Sequence, residues 1–506
     1  MLRTLLCFSW LGLAGVSVEG AQMVESQVVD FSTLTRFVAE KALLPYESPG
    51  ENLDLFFKEL NYDGHRKINF RKEKSFFGPT DLTYRVEFSH PGWMFKKPVK
   101  FYNVQINQTM LIPFDRQMFD YQTLEVPNGI KDPEGYAGFK LVAPGSFSKD
   151  RFEFLVFMGA SYYRAITTDL GWGISARGVA VNTIGGQPEE FPDFTHFWFV
   201  EPNVKDEAFR FYAMLDGPSV VGAYEFEVLP GKKTEMRVKA TLFLRKPVTM
   251  LGIAPFSSMF WYGENSHPKP YDFRPEVHDS DGLQIEVEGG PSIWRPLDNG
   301  NDMRLSFFYA DKLKGFGLAQ RDRDYKKYED LEADYHRRPG VWVEPISGFE
   351  RGEVSLIELS TGEETWDNIV TMWKPAELPK SPKEPLKFEY KLTWLDEHLP
   401  GKLAKVINTQ RGYVMKSVEH LYVIDFTKGE LARDNPSDWV PEIDVFIAND
   451  LAKVVDKRVM YNEETKGWRA FFRLDIPQNQ SMLELTAELK NGQDVISERW
   501  MYQWRR

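Results

Sequence analysis

Two acidic clusters are the segments of this chain best suited to chemistry. The first is Arg274-Pro275-Glu276-Val277-His278-Asp279-Ser280-Asp281-Gly282 and the second Thr361-Gly362-Glu363-Glu364-Thr365-Trp366-Asp367-Asn368. Carboxylates crowded beside an indole repel one another and lose water, which raises the pKa of one toward the range a general acid needs. For Asp279 the functional readings are a general base or an acceptor for sugar hydroxyls, and the alternative is a turn aspartate bonded to its own backbone. For Glu363 and Asp367 the alternative is a helix N-terminus, where acids complement the dipole. The first cluster lacks the spacing and distal glutamate of a calcium loop.

Further polar residues stand in apolar, small-residue surroundings. Tyr163 and Arg164 follow Gly159-Ala160-Ser161-Tyr162, Arg177 lies in Gly173-Ile174-Ser175-Ala176-Arg177-Gly178, and Trp294-Arg295-Pro296 and Tyr335 near Arg337-Arg338 make similar pairings. An arginine in such a place needs acceptors, either buried carboxylates or ligand oxygens. The eight histidines form no metal-binding pair, and there is no Gly-x-Ser-x-Gly elbow or phosphate-binding loop. The expectation is a site without metal or cofactor.

The elements that must hold these residues are mainly strands. Met236, Val238, Ala240, Leu242 and Leu244 alternate with Arg237, Lys239, Thr241 and Phe243, and Leu386 to Trp394 alternates likewise. Such runs predict strands with one buried and one wet face. Asp30 caps a helical pattern through Leu34, Phe37, Val38 and Ala42, and a shorter helix is expected within 52–60. Turn signals at Pro230-Gly231, Gly289-Gly290, Asn299-Gly300 and Asn491-Gly492 separate the strands. The fold class is all-β.

A chain of 506 residues exceeds the roughly 250–300 at which a single core stops growing, so two domains are expected. Alternation lapses over 396–408, which divides a large sandwich, 21–395, from a unit at 409–506 of immunoglobulin size. Residues 1–20 have the basic start, apolar run and small-residue end of a secretory signal. The only cysteine, Cys7, lies within it, which excludes disulfides and thiol chemistry downstream. A net charge of −12 disfavours nucleic acid and anionic membrane. A neutral ligand fits better, and 14 Trp, 21 Tyr and 38 Phe include enough rings to line a sugar cleft as well as a core.

Several longer strings together carry a resemblance. They are Gly135-Tyr136-Ala137-Gly138-Phe139-Lys140, Gly159 to Arg164, Ser175-Ala176-Arg177-Gly178, Glu189-Glu190-Phe191-Pro192, Ile253-Ala254-Pro255, Arg274 to Ser280, Trp294 to Leu297 and Gly315-Phe316-Gly317-Leu318. In this order they resemble the periplasmic glucan biosynthesis protein G and D family, and the absence of a twin arginine favours type G. The resemblance implies a large antiparallel sandwich similar to galactose mutarotase, then an immunoglobulin-like domain. It implies a periplasmic protein that makes osmoregulated glucans by inverting hydrolysis of β-1,2-glucan, with Asp367 as acid and Asp279 as base. Glu364 and Tyr335 match cleft positions, and Trp294, Arg295, Tyr163, Arg164, Arg177 and His278 complete the expected substrate contacts. Trp366 departs from the smaller polar residue expected beside the acid. The partners implied are the glucan and the inner-membrane glucan synthase. The alternative is a non-catalytic glucan carrier.

Overall fold

The computed structural model describes residues 23–506 except 51, 79–81, 107, 145–150, 205, 267–270, 397–401, 416–418, 431–438 and 449–450. The segment read as a secretory signal lies outside the described residues.

Two large sheets face one another. One runs in the order Arg85–Ser89, Gly138–Pro144, Arg151–Met158, Tyr162–Ala165, Ser175–Arg177, Leu251–Ser258, Ile369–Pro375, Gly352–Glu358, Arg304–Ala310. The other includes Gly282–Val287, Leu313–Ala319, Gly340–Ser347, Leu386–Leu395, Thr234–Leu244, Val220–Leu229, Phe209–Asp216 and Asp193–Val200 as successive neighbours. Between them lies one core in which Phe139, Phe157, Tyr163, Phe226, Val238, Leu392 and Trp394 meet. The residues are inward by the strand period: Tyr163 and Ala165 are buried, while Tyr162 is half-buried and Arg164 exposed.

The helix Phe31–Ala42 is capped by Asp30, which accepts from the Thr33 amide at 2.7 Å. It covers the outer face of the second sheet, with Leu34, Phe37 and Val38 packed on Trp198, Met214 and Phe243. Phe243 sits on the face that alternation marks as wet, and the helix buries it. The short helix expected within 52–60 is Leu55–Lys58. The proline-rich segment 374–385 leads to Leu386–Leu395, which pairs on both sides, with Gly340–Ser347 and with Thr234–Leu244.

The C-terminal unit has four strands in one sheet, Val406–Tyr413, His420–Phe426, Gly467–Asp475 and Lys453–Asn462. Glu442–Ile447, Met482–Asn491 and Arg499–Arg505 form the opposing layer, the four-and-three division of small immunoglobulin-type sandwiches. Its first strand starts at Val406, and the Ala404 amide already bonds Ile496, so this unit begins inside the stretch read as linker. Arg499–Arg505 pairs in parallel with Ser292–Pro296, which makes the two units share a continuous sheet. Arg321 closes that junction: its guanidinium contacts both Glu498 oxygens at 2.8 and 2.9 Å and lies 3.5 Å from the Trp294 ring centre.

Candidate functional site

Loops at one end of the first sheet bring the two acidic clusters together. Asp279 follows the short strand Val277–His278, which pairs with Phe260–Tyr262. Its amide bonds the Met259 carbonyl at 2.8 Å, and Ser280 and Ser258 hydroxyls meet at 2.7 Å, fixing the turn. Asp367 precedes Ile369–Pro375 in a loop, not a helix, so the dipole reading of this cluster does not apply.

Asn368 fastens one loop to the other. Its amide donates to the Phe260 and Leu359 carbonyls at 3.0 Å each and its oxygen accepts from the Phe260 amide at 2.9 Å. The strand that supports Asp279 is thereby bonded to the residue beside Asp367. Asn299 holds the start of the same loop through two bonds with the Thr361 backbone.

Arginines mediate between the two aspartates. Arg338 contacts the Asp279 carboxylate, donates twice to the Ala333 carbonyl and stacks 4.3 Å over the Tyr335 ring. Arg164, held by the Ser175 hydroxyl at 2.6 Å, acts electrostatically on both aspartates, as does Arg338. Burial raises the Asp279 pKa, Arg338 opposes it, and the charge of Asp367 adds to the rise. Asp367 is likewise raised by its surroundings against the pull of Arg164 and Arg338. Its side chain is nevertheless exposed to solvent.

Arg274 clasps the loops around these residues. It reaches Asp272 at 3.0 and 2.8 Å, Asp330 at 3.0 Å, and Glu364. Tyr335, almost wholly buried, donates its hydroxyl to the other Glu364 oxygen at 3.3 Å. One guanidinium thus ties together the loops that carry Asp279, Tyr335 and Asp367.

The other expected contacts divide. Arg177 is 2% exposed, meets Glu189 at 3.1 Å and lies 5.0 Å from both the Tyr162 and Phe191 ring centres. Four residues require correction as groove lining. Tyr163 points into the core, one residue out of phase with Tyr162. Trp294 packs in the core of the C-terminal unit beneath Arg321. Arg295 is buried beside Ser306 and Glu358. His278 is fully buried and bonds Glu276 and Gln320 at 3.0 and 2.9 Å.

Sequence reasoning did not assign roles to Arg274, Arg338, Tyr162, Asn368 or Gln320. Gln320 donates to the His278 and Tyr335 carbonyls at 2.8 and 3.2 Å, joining two loops of the site. A signal in the sequence existed for Arg274, Tyr162, Arg338 and Asn368, which adjoin residues already singled out, but not for Gln320. Behind Asp279, ligand atoms of Glu264, Glu276 and His278 come within 4.8 Å of one another, a grouping that chain spacing does not reveal. Burial disfavours charge on His278, but Glu276 prevails and raises it to about 9, and Lys327 lies 3.2 Å from Glu276. Protonated imidazole and ammonium therefore balance Glu276, while burial pushes Glu264 up to about 8.

The loop end of this β-sandwich thus gathers two acidic clusters with arginines and rings. The family described as "Periplasmic glucan biosynthesis protein, MdoG" matches residues 29–504, and the chain belongs to it. It is 38% identical over 496 residues to Glucans biosynthesis protein D 1 of Ralstonia nicotianae, covering 94% of this chain and 91% of the relative. It is 36% identical over 471 residues to Glucans biosynthesis protein G of Pseudomonas paraeruginosa (90% and 89%) and 37% identical over 473 to protein G of R. nicotianae (91% and 93%).

Proposed function

We propose that this protein acts in the periplasm, after loss of the leader 1–20, as an inverting β-1,2-glucan hydrolase that trims glucan during its biosynthesis. Asp367 is the acid that protonates the leaving oxygen, and Asp279 is the base that activates water. Inversion needs one protonated and one ionised carboxyl on opposite sides of the bond, with room for water between them. The observation that carries the reading is geometric: the loops of two aspartates remote in sequence are fastened together, Arg274 reaching Glu364 and Asn368 bonding Phe260, with Arg338 on Asp279 and Asp367 exposed. The family and its relatives, all named for glucan biosynthesis, support the glucan as substrate. The inner-membrane synthase is the expected supplier of the chain.

Asp279 is paired with Arg338, and a base so occupied favours a second reading, a glucan carrier without hydrolysis. The mature protein and its Asp367→Asn and Asp279→Asn variants, incubated with linear β-1,2-glucan, decide between them. Shorter products released by wild type and by neither variant, with the anomeric configuration inverted in NMR, establish the hydrolase. Binding without any product from wild type leaves the carrier.

A further inference from the structure

Three donor side chains converge behind the strand that supports Asp279. Glu276 and His278 lie two residues apart in the extended segment that ends in Val277–His278, so their side chains leave it on one side. That strand pairs with Phe260–Tyr262, and the turn after its partner brings Glu264 alongside. Glu264, Glu276 and His278 each offer one ligand atom, all within 4.8 Å of one another, and the His278 Nε2 stands 3.0 Å from Glu276. Ligand atoms held tetrahedrally about 2.1 Å from a zinc ion lie about 3.4 Å from one another. Two glutamates and an imidazole match that set, and the half-buried Glu264 has the freedom to close the remaining gap.

The bonding around His278 decides which of its nitrogens is free. The Gln320 amide nitrogen donates to the His278 and Tyr335 carbonyls at 2.8 and 3.2 Å, so its oxygen is the atom that accepts from His278 Nδ1–H at 2.9 Å. The imidazole of a metal site is oriented in the same way, its second N–H bonded to a fixed acceptor. Nε2 then turns its lone pair toward a carboxylate oxygen, which is favourable only with a positive species between them. A proton serves that one contact. It leaves Glu264 and Asp322 short of positive charge: burial, with Glu276 nearby, pushes Glu264 up to about 8 and Asp322 up to about 7, although Lys327 stands 3.5 Å from Asp322. A dication serves three donors at once.

We infer that Glu264, Glu276 and His278 bind a divalent transition-metal ion of the zinc type, with water completing its coordination. Mixed carboxylate and imidazole donors select such ions over magnesium and calcium, which prefer oxygen alone. The proton between His278 and Glu276 leaves as the metal enters. The ion is structural and independent of the reaction at Asp367. Glu264 also accepts from the Thr409 amide at 3.2 Å, so the metal fastens the strand before Asp279 to the C-terminal unit. Lys327, 3.2 Å from Glu276, is the competing cation, and its side chain is 34% exposed and free to swing outward.

The test dialyses chelator-stripped mature protein against low-micromolar zinc, with magnesium and calcium as comparisons, and counts bound metal by mass spectrometry. One zinc per chain is expected, with a melting temperature that climbs as zinc is raised. Glu264→Gln keeps an acceptor for the Thr409 amide but loses a ligand charge, and weakens zinc binding at least about tenfold. Lys327→Met removes the competing ammonium and tightens zinc binding. Calorimetry without metal checks that each variant folds. Wild type that takes up no zinc, or zinc binding that neither substitution alters, overturns the inference. Magnesium or calcium held as tightly as zinc overturns it too.

Discussion

Replacing Arg274 with alanine leaves three carboxylates without their shared cation, and the consequences follow from the contacts. Asp272 and Asp330 side chains are each 11% exposed, and Glu364 is 31% exposed. Removing one partner of a buried pair costs about 3–5 kcal/mol. Asp330 keeps the amides of Glu332 and Ala333 at 2.8 Å, and Asp272 keeps the Arg274 amide at 3.0 Å, which favours the lower limit, about 3 kcal/mol. Arg274→Lys retains a charge but not the fork, and about 1–2 kcal/mol is expected. Because the freed loops carry Asp367 and Tyr335, the proposed mechanism predicts that a shift of about 1 Å in Asp367 lowers kcat on β-1,2-glucan about 100-fold.

The pH dependence gives a further check. The Arg274 bonds, against burial, hold Asp272 down at about 2. For Asp330 burial works upward, but the Ala333 and Glu332 amides and Arg274 outweigh it. A carboxylate depressed in the folded state contributes stability above its unfolded pKa of about 4 and loses it as pH falls toward the folded value. The gap in urea stability between wild type and Arg274→Ala is therefore full at pH 7 and narrows between about pH 4 and pH 2. A variant as stable as wild type at pH 7, with unchanged kcat, refutes the clasp.

Other outcomes follow from the same geometry. The proposed mechanism predicts that Asp367→Asn abolishes hydrolysis, and because its carboxyl is raised, the charged form is disfavoured in the fold; the variant melts no lower than wild type at pH 7, as calorimetry would show. Arg338→Met removes the cation that opposes burial at Asp279, so the Asp279 pKa rises further and the acid limb of the pH–rate profile moves to higher pH. A limb at the same pH removes Arg338 from the tuning of the base. Glu498→Gln strips a fully buried partner from Arg321 and Lys405 at the junction of the two units, at a cost of about 3–5 kcal/mol in chemical unfolding. An unchanged midpoint would show that the junction does not depend on that charge.

Local pattern alone determined the strands, the Asp30-capped helix and the two acidic clusters. Strand period and capping depend on neighbours along the chain, and carboxylates in turn-rich segments announce themselves. The same period, read one residue out of phase, put Tyr163 rather than Tyr162 at the surface, and only the packing of two sheets fixes which face turns inward. Phe243 reads as wet until the helix Phe31–Ala42 is laid across it. Trp294 and Arg295 read as sugar contacts because nothing local reveals the C-terminal unit and the paired acids that bury them. The clasp at Arg274, the bridge of Arg338 and the fastening by Asn368 join segments distant in sequence. Their bonding depends on distance in space, which tertiary folding alone supplies.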